Sequence, residues 1–261
     1  MIKNKKRYRH AQLYCNSSKK KQTITSKYSY KFSMIAKHLI LVVTIGYNCF
    51  AFSQKKSDTI FIKANDNTHC FIFIDKNKRS EYYKQISNFS FNSFDSATYK
   101  EAINLLKSNS KARFSKYRIN DFAKEWVPLY VYKNKFYVYA PSDWGYNNWI
   151  KITDSTLIEH DMEGPAPSKI KSFKKINQQQ VELTILGAQQ KQRRIKVYII
   201  NPKYQTAVFE FSGKHKKTEY KLMVSVNKIN HFPVIVNYCK DSKVQEMEFE
   251  KPNFKKLIKQ L

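Results

Sequence analysis

The chain predicts a mainly β, α+β fold: an antiparallel meander closed into a barrel or doubled into a two-layer sandwich, with a helical insertion at about 80–125 and a short C-terminal helix. Three observations carry this expectation. From Val127 onward, short β-branched and aromatic runs recur roughly every ten residues with turn-forming residues between them. Within those runs apolar and polar side chains alternate, which puts one face of each strand in a core and the other in water, the antiparallel signature. Hydrophobic residues make up 42% of the 261 residues and aromatics 15%, enough to bury a real core.

The N-terminal 53 residues stand apart. They hold eleven Lys or Arg and no acid, followed by the apolar run Leu39-Ile40-Leu41-Val42-Val43-Thr44-Ile45-Gly46-Tyr47. Residues 1–33 read as a disordered basic tail or an overcalled start, with Met34 beginning the chain proper. Residues 34–53 read as a signal peptide, with Ala51 and Ser53 as the small residues ahead of a cut before Gln54. The competing reading is an uncleaved anchor, which would bring membrane contact, but a span needs about 20 apolar residues and Asn48 interrupts this run. Residues 54–261 then form a single β-rich domain in the periplasm or outside the cell.

Cys70 and Cys239 remain in that domain, either bridged in an oxidising compartment or kept as two buried thiols in strands. Thr59–Ile62 and Cys70–Ile74 read as strands around Asn65-Asp66-Asn67. Asp95 or Ser96 caps a helix carrying Tyr99, Ala102, Ile103 and Leu106 at helical spacing, and Asp121 caps a shorter one through Trp126. The meander follows: hairpins around Lys133-Asn134 and Asp154-Ser155, strands through Lys169–Ile176 and Val181–Leu186, then alternating runs centred on Val197, Phe209, Leu222, Val236 and Met247. Phe254–Leu261 reads as the terminal helix.

Composition excludes several functions. Five glycines, none grouped, leave no phosphate-cradling loop, so dinucleotide folds and Walker-type NTPases are out. The formal charge is +28, yet only seven of the 48 basic residues are Arg. Lysine lacks arginine's planar fork, so no specific nucleic-acid partner is expected. The mature histidines show no zinc-ligand spacing, and no nucleophile motif occurs, so neither metal nor cofactor is expected and catalysis is disfavoured.

The Ala51-Phe52-Ser53-Gln54 signal end and the Lys, Asn and Phe bias resemble exported proteins of Bacteroidota, and Trp149-Ile150-Lys151-Ile152-Thr153-Asp154-Ser155 with the hairpins after it resembles a lipocalin-type β-meander over about 127–250. The resemblance implies a ligand-holding barrel. The lipocalin Gly-x-Trp signature is absent, so no binding residue is carried over.

Candidate sites follow from the residues themselves. The loop around Trp144, Tyr146, Asn148 and Trp149 interleaves aromatics with amides, as loops that stack on a ligand or cap a cavity do. Asp143, Asp154, Glu159, Asp161 and Glu163 are the acids a periplasmic hydrolase would draw on. Lys169, Lys171, Arg193 and Arg194 lie on two hairpins and would hold an anionic polymer if they shared a face. The leading expectation is an exported, non-catalytic β-rich module that binds a small ligand or a cell-envelope component.

Overall fold

A computed structural model of the chain describes residues 59–65, 70–109, 114–119, 122–213, 216–240 and 244–261. The tail and signal segment, the Asp66-Asn67 turn and the Asp121 cap lie outside the described residues.

The chain opens with an antiparallel hairpin, β1 (Thr59–Asn65) and β2 (Cys70–Asp75). Two helices follow, α1 (Glu81–Ile86) and α2 (Ser93–Asn109). Asn92 caps α2 rather than Asp95 or Ser96, because its side-chain oxygen accepts the Asp95 amide at 2.8 Å. The shorter helix expected through Trp126 does not form. Glu125–Pro128 is instead strand β3, and Trp126 is fully buried. A local cap signal loses to the burial of an indole that fills the space between strands.

After β3 the chain makes the Lys133-Asn134 hairpin from β4 (Tyr130–Tyr132) and β5 (Lys135–Ala140). Both turn residues have positive φ, 48° and 58°, which matches the strand twist in a two-residue turn. The meander proper is β6 (Trp149–Ile152), β7 (Thr156–Asp161), β8 (Gly164–Lys175), β9 (Gln180–Gly187), β10 (Gln192–Asn201), β11 (Thr206–Gly213) and β12 (Lys216–Ser225). A last strand, β13 (Val234–Cys239), and helix α3 (Phe254–Ile258) complete the fold.

The protein is mainly β, and its centre is a closed antiparallel barrel of eight strands. Strands β6 to β12 run up and down in sequence order, and β3 closes the wall between β12 and β6, with Val127 opposite Val224 and Trp126 opposite Ile150. Trp126, Ile150, Leu157, Ile170, Leu183, Ile195, Phe209 and Met223 point inward and are essentially buried. The inside of this barrel is packed with side chains. One end is plugged by the segment before β3, where Ile119 and Phe122 join that core and the Tyr117 amide bonds the Asp154 carbonyl at 2.8 Å.

A second, five-stranded sheet has the order β1-β2-β13-β5-β4, antiparallel except for the parallel pair β13 and β5. Val138, Ala140, Val234 and Val236 on one face share a core with Val127, Val208, Leu222 and Val224 on the outside of the barrel. This changes the reading of β12. Its Leu222 and Val224 face the second sheet while Met223 faces the barrel interior, so no wet face exists there. The other face of the sheet buries Tyr137, Tyr139 and Ile235 beneath Met247 and Phe249. Residues Glu246–Glu250 were expected as a strand, but only Glu250 forms a bridge, to Val131. The alternation there comes from Met247 and Phe249 covering the sheet while Glu246 is held by side-chain hydrogen bonds.

Candidate ligand site at the barrel mouth

At the end opposite the plug, beside the β7–β8 connection, lies a cavity of about 620 Å³. Its wall combines the end of β3, the 145–148 loop, Asp161–Glu163, the start of β12, and the C-terminal segment at Glu250, Pro252 and Phe254. Of the sequence-predicted residues, Tyr146 and Asn148 line it. Trp149 does not. It is buried on the outer barrel wall, its ring 4.6 Å from His160 and nearly parallel to it, with Phe89 and Phe91 on either approach. Successive strand residues face opposite sides, so Trp149 leaves the mouth as β6 begins. Trp144 lies in the 3₁₀ turn Trp144–Tyr146.

The loop is held by a residue that the sequence reading took for strand. The Glu246 carboxylate accepts hydrogen bonds from Ser142 Oγ at 2.8 Å, the Asp143 amide at 3.0 Å, Asn237 Nδ2 at 3.2 Å and the Ser142 amide at 3.3 Å. Tyr139 donates its hydroxyl to the same carboxylate. Burial first, and this carboxylate second, hold the Tyr139 hydroxyl well above the usual tyrosine range. Tyr130 is pushed up to about 12 for the same two reasons. Glu246 thus ties the base of the 143–148 loop to the C-terminal segment, and both run on into the cavity wall. Asp143 then orders the turn by accepting the Gly145 amide at 3.0 Å. No local pattern marks Glu246, because Tyr139, Ser142 and Asp143 lie about a hundred residues upstream.

Beneath the cavity, inward-facing positions become charged. Glu159 sits opposite Ile150, Arg193 opposite Ile185 and Lys221 opposite Phe209, all on the barrel-lining rows. Glu159 pairs with Arg193 and, at 3.4 Å, with Lys221, whose ammonium lies 5.1 Å from the Phe211 ring centre. Two cations on one carboxylate in a partly closed space satisfy charges that would be costly alone.

The basic residues do not gather as one face. Arg193 points into the barrel toward Glu159, and Arg194, its neighbour along β10, pairs outside with Glu182, whose carboxyl it holds below the usual range. Lys169 is buried, with its ammonium 5.3 Å from the Phe114 ring centre, while Lys171 is exposed. The acids are dispersed as well. Asp154 is at the plugged end, Glu159 is ion-paired inside, Asp143 serves its own turn, and Asp161 and Glu163 reach the cavity rim.

His160 has a partner that sequence spacing did not suggest, Asp95 of α2, at 3.4 Å. The two residues are 65 apart in the chain and meet because α2 lies along β8. Gly164 permits that approach, since its φ is +94° and a Cβ there would stand 3.2 Å from Asp95 Oδ1.

Cys70 and Cys239 are directly opposed on β2 and β13 and are joined as a disulfide, with their Cα atoms 4.1 Å apart. Among the described residues no group of His, Cys, Asp or Glu could hold a metal ion, and no helix is long and apolar enough to cross a membrane. No protein-family model matches the chain, and neither a curated protein nor a solved structure does.

Proposed function

We propose that the protein is an exported, non-catalytic, lipocalin-like barrel that holds a small organic ligand at its open mouth. The cavity of about 620 Å³ carries the reading, because sites for small molecules occupy roughly 300–1,000 Å³ and combine apolar walls with a few placed polar groups. The ligand sits at the rim of a filled barrel, against Tyr146 and Asn148. Export is supported by the basic-then-apolar leader and by the cysteine pair, which persists in oxidising compartments.

Hydrolysis is the weaker reading. A general acid is made by burying a carboxyl, whereas Asp161 and Glu163 are exposed and Glu159 is engaged by two cations. Capture of an anionic polymer is also weaker, because Arg193 and Arg194 are paired to glutamates on opposite faces.

Titration with the neutral dye N-phenyl-1-naphthylamine tests the binding half. One saturable site is expected, weakened at least tenfold by Asn148→Trp, which fills the mouth. Non-saturable binding, or binding indifferent to that change, overturns it. Terminal sequencing of native protein tests export: a chain starting at Gln54 in an extracytoplasmic fraction is expected, and one retained inside the cell with its leader intact overturns it.

A further inference from the structure

We infer that the mouth cavity selects organic cations, specifically an ammonium group carried on an apolar body; this rests on the binding reading above. The chain has 48 basic and 20 acidic residues, so an arbitrary patch of its surface should be rich in lysine. The cavity inverts that balance. Among the described residues, Asp161, Glu163, Glu219 and Glu250 line it against one cation, Lys221.

That cation is already neutralised. Lys221 pairs with Glu159 below the floor at 3.4 Å and with Glu219 at 3.6 Å. Asp161 Oδ1 accepts the Glu163 amide at 2.9 Å, and Glu250 Oε1 accepts the Lys133 amide at 2.6 Å. These are neutral donors. Among the described residues none of Asp161, Glu163 and Glu250 has a side-chain cation as partner, so three negative charges face the mouth without compensation. They come from two separate elements, the β7–β8 turn and the C-terminal segment, and therefore approach a guest from different sides.

The rest of the wall suits the body of such a guest. Leu222 and Phe254 give apolar surface, Met162 is a soft and exposed side chain at the rim, and the half-exposed Tyr146 offers a ring. An ammonium gains from carboxylates and from an aromatic face together, and its alkyl or aryl portion gains from burial. An anion of equal size would meet three like charges.

The test uses guests that share one naphthyl body: 1-naphthylmethylamine as cation, 1-naphthalenemethanol as neutral molecule and 1-naphthylacetate as anion, titrated calorimetrically into residues 54–261. Exposed charge pairs contribute a few-fold each, so three of them predict about a tenfold preference for the amine over the alcohol and weaker binding still for the acid. That preference should shrink toward unity in half-molar salt, where charges are screened within a few ångströms. The variant Asp161→Asn/Glu163→Gln/Glu250→Gln should bind the alcohol as before and lose the tenfold preference. Equal binding of amine and alcohol, a preference unmoved by salt and substitution, or tightest binding of the acid overturns the charge selection and leaves the cavity reading intact. If no guest binds and the neutral dye also fails, both fall.

Discussion

Replacing Glu246 by Gln changes one oxygen to an amide nitrogen and removes the charge, in a place built entirely of donors. On the Oε1 side are the Asp143 amide and the Ser142 hydroxyl; on the Oε2 side are the Ser142 amide, Asn237 Nδ2 and the Tyr139 hydroxyl. Hydroxyls can turn to accept, but backbone amides cannot. Whichever way the new amide points, at least one N–H faces another N–H. Asn237 Oδ1 is buried without a protein partner, yet turning it to accept would give up the Nδ2 bond to the Gln245 carbonyl. A hydrogen bond to a charged acceptor contributes about 1.5–3 kcal/mol and an orphaned buried donor costs about 1–3 kcal/mol, so the substitution should destabilise the domain by about 3–5 kcal/mol. For a domain of this size that lowers Tm by about 10 °C. The assay is urea unfolding of residues 54–261 with Tyr139→Phe as comparator, which removes one donor to the carboxylate and the acceptor of the Met247 amide and should cost about 1.5–3 kcal/mol. A loss below about 0.5 kcal/mol for Glu246→Gln, the level of an ordinary surface change, would refute the account of Glu246 as the pin of the loop.

Two further outcomes are expected. Reducing the Cys70–Cys239 bridge, or replacing both cysteines by Ser, opens a loop spanning 169 positions and should cost up to about 5 kcal/mol in the chain-entropy treatment; unfolding midpoints that coincide with and without dithiothreitol would contradict it. Tyr83 and Tyr130 are both pushed up to about 12, chiefly by burial, so the native state keeps protons that the unfolded chain releases. The sign follows: their stabilisation is complete below about pH 10 and is lost as pH climbs from there toward 12. Ultraviolet titration should show these phenols ionising together with unfolding, and free ionisation near pH 10 in a folded chain would contradict it.

The strands were legible because their cause is local. Val181, Leu183 and Ile185 alternate with polar neighbours, and all three line the barrel. Lys133-Asn134 announced its turn by residue type, and the structure places both at positive φ. What alternation could not show is the number of covered faces. In β12 the row of Leu222 and Val224 and the row of Met223 are both buried, since a second sheet lies outside the barrel. That sheet depends on β13 lying parallel to β5, a contact between distant segments that no local pattern records. The site was half legible for the same reason. Tyr146 and Asn148 belong to a loop whose composition was informative, whereas Glu219 and Lys221 come to the mouth on β12, which meets β3 about a hundred residues away, and Glu246 holds that loop through partners equally distant in sequence. Trp149 shows the limit of composition, because a one-residue step from loop into strand turned it from the mouth to the outer wall.

The closing position of β3 has a consequence for how the molecule comes into being. Its partner β12 emerges about a hundred residues later, and β2 must wait longer still for β13. Neither the ring nor the flanking sheet can be completed until the final quarter of the polypeptide has been synthesised. Such distant pairings carry a large loop-closure penalty and slow the search. The hairpins of β6 to β12 can pair as they emerge, but a nascent chain would carry open edges at β2, β3 and β5, and a truncation that removes β13 and the tail leaves β2 and β5 without the strand that joins them.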